Sequence, residues 1–325
     1  MKVLKLATLL PLLVIAAAPA LAQEQIVDPD FKPTVASPAY KGPFFKDGGP
    51  VVAIDEAHNN RHTMSGNYRP FAELLSADGY RVRASATKFT AETFKGIDVF
   101  AVVNAEADFE PAESDALRDW VRAGGSLLLT ADHAPYGAFT QSLASRFGVT
   151  MGKGWAFDSE IKGEITTQLT YSRANTLLGD PAHTHPILEG RPILEGRASE
   201  RISLVKTFTG QSLGMPAGAT ALLRFSPTAR EAPDQGQLNA AAEAVGQGKV
   251  PAGSPSIAGR VQGMAMPFGK GRVVVLGEAG LFSAQVVKFP PGANQPDIRF
   301  GMQMPGTDDK QFALNILHWL SGALK

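Results

Sequence analysis

The chain has no cysteine in 325 residues. That removes disulfide frameworks, thiolate metal ligands and every mechanism built on a cysteine nucleophile. Net charge is lacking too: 31 basic residues balance 31 acidic ones, so there is no excess positive field to attract nucleic acid or an anionic surface. No apolar run reaches the roughly 20 residues that a stable membrane span requires. The one that comes nearest, Leu6 to Ala18, follows Lys2 and Lys5 and leads to Ala20-Leu21-Ala22 before Gln23. This is the layout of a secretory signal with a small-residue cleavage site, so residues 1–22 are expected to be removed on export to the periplasm or the medium. The mature chain would then hold 29 basic against 31 acidic residues.

Two phosphate-binding patterns are also missing. No Gly-x-x-x-x-Gly-Lys-Ser/Thr and no Gly-x-Gly-x-x-Gly follows the first strand, so a nucleotide cofactor is not expected. After the strand 126–130, where a serine nucleophile elbow would stand, the chain instead reads Asp132-His133-Ala134-Pro135-Tyr136-Gly137.

What the chain does have is four apolar runs that end in polar residues. Val51-Val52-Ala53-Ile54 runs into Asp55-Glu56-Ala57-His58-Asn59-Asn60, and Val99-Phe100-Ala101-Val102-Val103 into Asn104-Ala105-Glu106. Leu127-Leu128-Leu129-Thr130 leads to Ala131-Asp132-His133, and Val273-Val274-Val275-Leu276 to Gly277-Glu278. Such runs read as strands buried on both faces of a parallel sheet. Ligands of open α/β sheets bind outside the carboxyl ends of the strands, so the four tails are expected to converge on one crevice.

Between the runs lie helical patterns over 67–78, 111–122, 137–147 and 308–321, and further strands over 80–84, 203–208 and 219–225. Phe268-Gly269-Lys270-Gly271 joins strands 258–267 and 272–277 into a hairpin. Alternating strand and helix predicts an α/β fold with crossover helices, a flavodoxin-like three-layer sandwich around a mostly parallel sheet. A β-rich, irregular insertion over about 150–257 and a closing hairpin and helix complete a single domain, 50–325. Residues 23–49, rich in proline, are expected to run extended over the surface as a linker. The loop 288–306 is placed to cover the crevice as a flap, and the tandem hexapeptide Pro186-Ile187-Leu188-Glu189-Gly190-Arg191, repeated over 192–197, reads as a local duplication.

Imidazole and carboxylate donors together suit Zn²⁺, Mn²⁺ or Fe²⁺. Asp55, His58, His62 and Asp132 are the candidate ligands of one divalent transition metal. Glu56, His133 and Glu278 are the candidate acid–base groups, and Asn59, Asn60, Asn104, Ser283 and Gln285 the candidate substrate contacts. Each has a structural alternative: His58 as a hydrogen-bonded strand-end staple, His62 as a solvent-facing side chain, Asp132 as a cap, Glu278 as an acceptor for the amides of the next turn. His183 and His185 read as loop residues and His318 as a packing residue.

The Asp55-Glu56-Ala57-His58-Asn59 opening, the Gly124-Gly125-Ser126-Leu127-Leu128-Leu129 strand into Asp132-His133, the Gly271 to Glu278 strand and the Phe312 to Leu320 helix resemble the class I glutamine amidotransferase-like fold. The chain is most similar to its non-amidotransferase branches, the trehalose-utilisation-like and gliding-motility/intraflagellar-transport-type domains, over about 50–150 and 258–321. The resemblance implies the fold and the crevice. It does not imply glutamine hydrolysis, because the enzymes of that superfamily use a cysteine where this chain has Asp132-His133. Two functions follow as expectations: a metal-assisted hydrolase of a small polar or carbohydrate-type substrate, or a non-catalytic exported domain that binds a saccharide or a protein in the same crevice. Acid–base catalysis by His133 with Glu278, without metal, is a third.

Overall fold

A computed structural model describes residues 24–41, 45, 48–159, 164–180, 182–193, 198–289 and 296–325. The secretory signal expected over 1–22 lies outside these residues, as does most of the second copy of the hexapeptide.

The first strand, β1 (Glu24–Val27), falls within the stretch expected to be linker. β2 (Val51–Asp55) is buried along its whole length. α1 (Arg69–Asp78) starts on Pro70, whose missing N–H costs nothing in a first turn, and stops at Gly79, whose φ of 101° a side chain would resist. β3 (Arg81–Ser85) and β4 (Val99–Val103) follow. α2 (Pro111–Ala123) begins with a reciprocal capping box between Glu110 and Glu113. β5 (Ser126–Thr130) and α3 (Tyr136–Ser145) close the regular alternation.

The insertion folds into β6 (Thr150–Met151), β7 (Trp155–Asp158), β8 (Gln168–Ser172), α4 (Pro186–Glu189), β9 (Leu204–Phe208), β10 (Leu213–Gly214), β11 (Thr220–Arg224), β12 (Ala229–Ala232) and α5 (Gln235–Gly246). The hairpin β13 (Val261–Phe268) and β14 (Gly271–Leu276), then β15 (Ala284–Lys288), β16 (Ile298–Gly301) and α6 (Asp309–Leu320), complete the chain.

The main sheet runs β3-β2-β4-β5-β14-β13-β10-β6, with β11 also paired to β13. From β3 to β14 every pairing is parallel, and beyond β14 every pairing is antiparallel. The fold is therefore mixed α/β, with a large sheet whose parallel half carries the expected tails. Apolar residues pack on both faces: Val52, Ile54, Val99 and Ala101 meet Phe71 of α1 and Phe312 and Ile316 of α6, while Ala53, Phe100 and Leu127 meet Leu117 and Val121 of α2. Two small antiparallel pairs, β12 with β7 and β8 with β9, stand apart, as does a three-stranded sheet β1-β15-β16. β16 lies inside the segment expected to be a flap, and pairing with β15 gives that segment a fixed edge. No helix among the described residues is long and apolar enough to cross a membrane.

One buried hydrogen bond ties the two helices of one face together. His318 of α6 meets Asp78 at the end of α1 at 2.6 Å, and the other Asp78 oxygen accepts the Ala39 amide at 2.7 Å. Removing one partner of a buried hydrogen bond leaves the other unsatisfied in a dry interior, at a cost of about 1–3 kcal/mol. His318→Ala is expected to lower the urea midpoint by an amount equivalent to about 1–3 kcal/mol; an unchanged midpoint would show that the pair does not hold the helices together.

Candidate functional site

The tail of β2 folds back on itself. Asp55 Oδ1 accepts the Ala57 amide at 3.1 Å, and its Oδ2 accepts from His58 Nδ1 at 2.9 Å and from Asn60 Nδ2 at 3.1 Å. His58 Nε2 faces Glu113 Oε1 at 3.2 Å, and the ring packs between Phe89 and Phe109. With a carboxylate at each nitrogen the ring acts as a two-way donor, which suits the imidazolium. Burial alone would lower its pKa, but hydrogen bonds and charge from Asp55 and Glu113 outweigh that and raise it. Asn60 completes the knot: its Nδ2 also reaches the Val103 carbonyl at 2.9 Å and its Oδ1 takes the His58 amide at 3.0 Å. Asp55, His58 and Asn60 thus face one another and Glu113 of α2.

The tails of β4, β5 and β14 lie side by side at the carboxyl edge of the parallel half of the sheet. Asn104, at a φ of 40°, accepts the Asp132 amide on Oδ1 at 2.8 Å. Asp132 Oδ1 takes the His133 amide at 2.7 Å, and Gln211 of the insertion clamps the Ala131 and Asp132 carbonyls through Nε2 at 2.8 and 2.6 Å. The turn that carries Gln211 lies hard against β14: a Cβ on Gly210, whose φ is 75°, would collide with the Gly277 carbonyl, so only glycine fits there. His133 Nδ1 donates to the Ala134 carbonyl at 2.8 Å. Its ring, partly exposed, stacks on partly exposed Trp155 of β7, with centroids 3.5 Å apart and planes within 17°. Tyr136 stands edge-on to His133 at 6.1 Å and donates to Glu106 Oε1 at 3.3 Å.

Glu278 is buried, and its two oxygens accept the Gly280 and Leu281 amides at 2.8 and 2.7 Å. Burial and the nearby Asp132 charge push its pKa well above the carboxylate range despite those amides. Burial also raises Asp132, against the pull of His133. Neither carboxyl makes a salt bridge among the described residues. Tyr68, at the leading edge of α1, donates to the Ala279 carbonyl at 2.7 Å, one residue past Glu278, and His62 stacks on it at 5.1 Å. Burial, with the Arg61 charge, lowers His62 to about 4, so the ring is neutral at pH 7.

The other candidates fall elsewhere. Glu56 Oε1 accepts the Met64 amide at 2.7 Å, and Asn59 is exposed at a φ of 55°. Ser283 donates to the Gly280 carbonyl at 2.6 Å and receives Gln285 Nε2 at 2.8 Å, so both belong to the bend into β15. Among the described residues, no group of three or more His, Asp or Glu converges as a metal-ligand set. Sequence reading singles out Gln211-Ser212 as a polar pair after the strand 203–208 that could line the crevice, but passes over Tyr68, Tyr136, Trp155 and Arg61. The nucleophile-elbow pattern Gly-x-Ser-x-Gly, expected to be absent, does occur in the chain, as Gly210-Gln211-Ser212-Leu213-Gly214, away from the main strand ends. There Ser212 is fully buried, donates to Glu231 Oε2 at 2.6 Å and accepts Arg260 Nε at 2.7 Å. A strand rather than a helix follows it, so it is a structural serine and not an elbow.

Two titrations should mark this edge with opposite causes but the same slope. A raised histidine stabilises fully below its unfolded value near 6.5 and ceases to do so as pH rises through its folded value. His58→Ala is therefore expected to cost about 3 kcal/mol at pH 6, with a smaller gap from wild type as pH rises beyond. Asp309, at the start of α6, is buried and raised to about 7 by that burial. It favours folding while protonated, so stability should fall between about pH 4 and 7. Asp309→Asn should flatten that fall in urea titrations; an unaltered pH profile would refute the assignment.

With this geometry in hand, the likenesses can be placed. Among curated proteins none matches the chain. Among solved structures it is similar to the mmIFT52 N-terminal domain, with 12% identity over 83% of this chain and 97% of that one and a TM-score of 0.54, a likeness of fold alone. It also aligns with putative ThuA-like proteins from Parabacteroides merdae (12% identity, 84% of this chain, 90% of that one, TM-score 0.43) and Bacteroides uniformis (10%, 88%, 93%, 0.39). A family described as "Domain of unknown function (DUF4350)" matches residues 65–290. That match takes in well over half of the sequence, from the lead into α1 to just past β15, and the chain belongs to the DUF4350 family.

Proposed function

We propose that this is an exported protein built on the class I glutamine amidotransferase-like, flavodoxin-type three-layer plan, and that its crevice binds a small, carbohydrate-type ligand. The observation that carries the reading is the partly exposed His133–Trp155 stack standing beside Asp132 at the carboxyl edge of the sheet. Sugars present an apolar C–H face that rests on aromatic rings, and hydroxyls that hydrogen-bond to carboxylates and amides. Trp155 and His133 supply the first, and Asp132, Glu106 and Asn59 the second. The clamp of Gln211 on the Asp132 backbone holds the two parts in register without using the carboxyl itself.

Trp155→Ala is expected to weaken saccharide binding at least tenfold, read by calorimetry or by ligand-observed NMR against a panel of monosaccharides. Binding at wild-type strength in that variant would refute the reading. Export is tested separately, by N-terminal sequencing of the protein from the periplasm or medium, where the chain should begin near Gln23.

A second reading, hydrolysis, rests on a different observation. Asp132 and Glu278 are two carboxyl groups at adjacent strand ends whose pKa values are both raised by burial, and a carboxyl with a raised pKa is suited to act as a general acid. Turnover of a glycoside in a substrate screen, abolished in Asp132→Asn with binding retained, would favour it over binding alone.

A further inference from the structure

We infer that the ligand is a saccharide chain rather than a single sugar, and that Phe208 and Phe300 form a second aromatic platform for the units beyond the His133–Trp155 stack. The inference rests on the crevice reading and names the class of ligand.

Phe208 ends β9 and Phe300 lies in β16, strands of two different small sheets. Their rings nevertheless meet, with centroids 6.2 Å apart and planes within 26° of each other. Phe208 is 39% exposed, although Val205 and Thr207 of the same strand are buried. A single exposed phenyl needs no explanation, but a near-parallel pair at a depression is a surface on which the C–H face of a sugar can rest. That depression is lined by Phe208, Phe300, Met304, Lys206 and Glu278. Lys206 brings an amine with three N–H donors for hydroxyls, and Glu278 is the residue that follows β14 at the crevice edge.

Backbone contacts run from this platform to the crevice. The chain leads from Phe208 through Thr209 and Gly210 to Gln211, which clamps the Ala131 and Asp132 carbonyls. The Gly210 carbonyl accepts the Ala156 amide at 2.8 Å, and Thr209 Oγ1 donates to the Ala156 carbonyl at 3.1 Å, so both residues are fastened next to Trp155. Gly210 also lies against Glu278, since a Cβ placed on it would stand 2.9 Å from the Glu278 Cβ. Thr209 takes a φ of 51°, which a β-branched residue adopts only where its surroundings impose it. The turn between the platforms is therefore held in place.

These links at full extension put Phe208 within about 18 Å of Trp155, close enough for one saccharide chain to lie on both pairs of rings. The second contact would form inside an existing complex, so it adds affinity without a second loss of translational freedom.

The test uses the mature chain and, as probes, glucose, mannose and galactose with the β-1,4-linked tetrasaccharide of each, titrated calorimetrically at pH 7 into wild type, Phe208→Ser, Phe208→Trp and Trp155→Ala. Phe208 reaches the surface, so Phe208→Ser should keep the wild-type circular dichroism. In wild type a tetrasaccharide should bind about tenfold more tightly than its own monosaccharide. Phe208→Ser should lose that gain while holding the monosaccharide as before, and Phe208→Trp should keep it. Equal binding of tetrasaccharide and monosaccharide to wild type, with both weakened in Trp155→Ala, would overturn the inference and leave the crevice reading standing. A gain with length that persists in Phe208→Ser would overturn it by placing the distal sugars elsewhere. Failure of every sugar to bind would remove the crevice reading and this inference with it.

Discussion

A strand buried on both faces of a parallel sheet has no solvent to fall back on where it ends, so the first demand on the residues that follow it is to satisfy the backbone. Everything at this edge depends on how that demand is met. After β2 it absorbs the whole tail: Asp55, His58 and Asn60 close on one another and on Glu113, and the result is a rigid loop. After β5 it is met from outside. Asn104 takes the Asp132 amide and Gln211 takes the two carbonyls, which leaves the Asp132 side chain and the His133 ring only partly engaged. The free chemistry therefore lies where a neighbouring segment has relieved the chain of its own hydrogen bonding.

This explains which parts could be read from the sequence. Apolar runs such as Val99-Phe100-Ala101-Val102-Val103 and the stripe of α2 follow from local periodicity, and the parallel half of the sheet came out within a residue or two of its expected bounds. The meeting of the Asp132 and Glu278 tails was legible because β5 and β14 each end there. Trp155 was not legible, because it reaches the edge from the stretch after α3, in which no periodicity signals where the chain will travel, and Gln211 stood out only as a polar residue that follows a strand. Ser283 and Gln285 follow Glu278 by a few residues, but a single 3₁₀ turn at Gly280–Phe282 swings them into another sheet. Proximity in sequence is a poor guide across such a turn.

The burial of Glu278 and Asp309 without salt-bridge partners among the described residues also costs stability. Each is held instead by backbone amides, as Asp309 is by the Lys206 N–H at 3.0 Å and Glu278 by the turn it caps. Amides fix the geometry of a carboxyl group without supplying a full positive charge. Positions of this kind persist in natural proteins where local order is worth more than a gain in stability.

The pairing of β1 with β15 bears on how the chain reaches this state. Gln25 meets Gln285 across 260 residues at 2.8 Å, so the first described strand finds its partner only after nearly the whole polypeptide is available. Order cannot simply accumulate from the amino end. The early strand must remain unpaired while the parallel core forms, and folding of such long-range topology is slow and exposed to wrong pairings. For a chain made from its amino end, β1 can lock only once β15 has been synthesised, so the two sides of that small sheet are separated in time as well as in sequence.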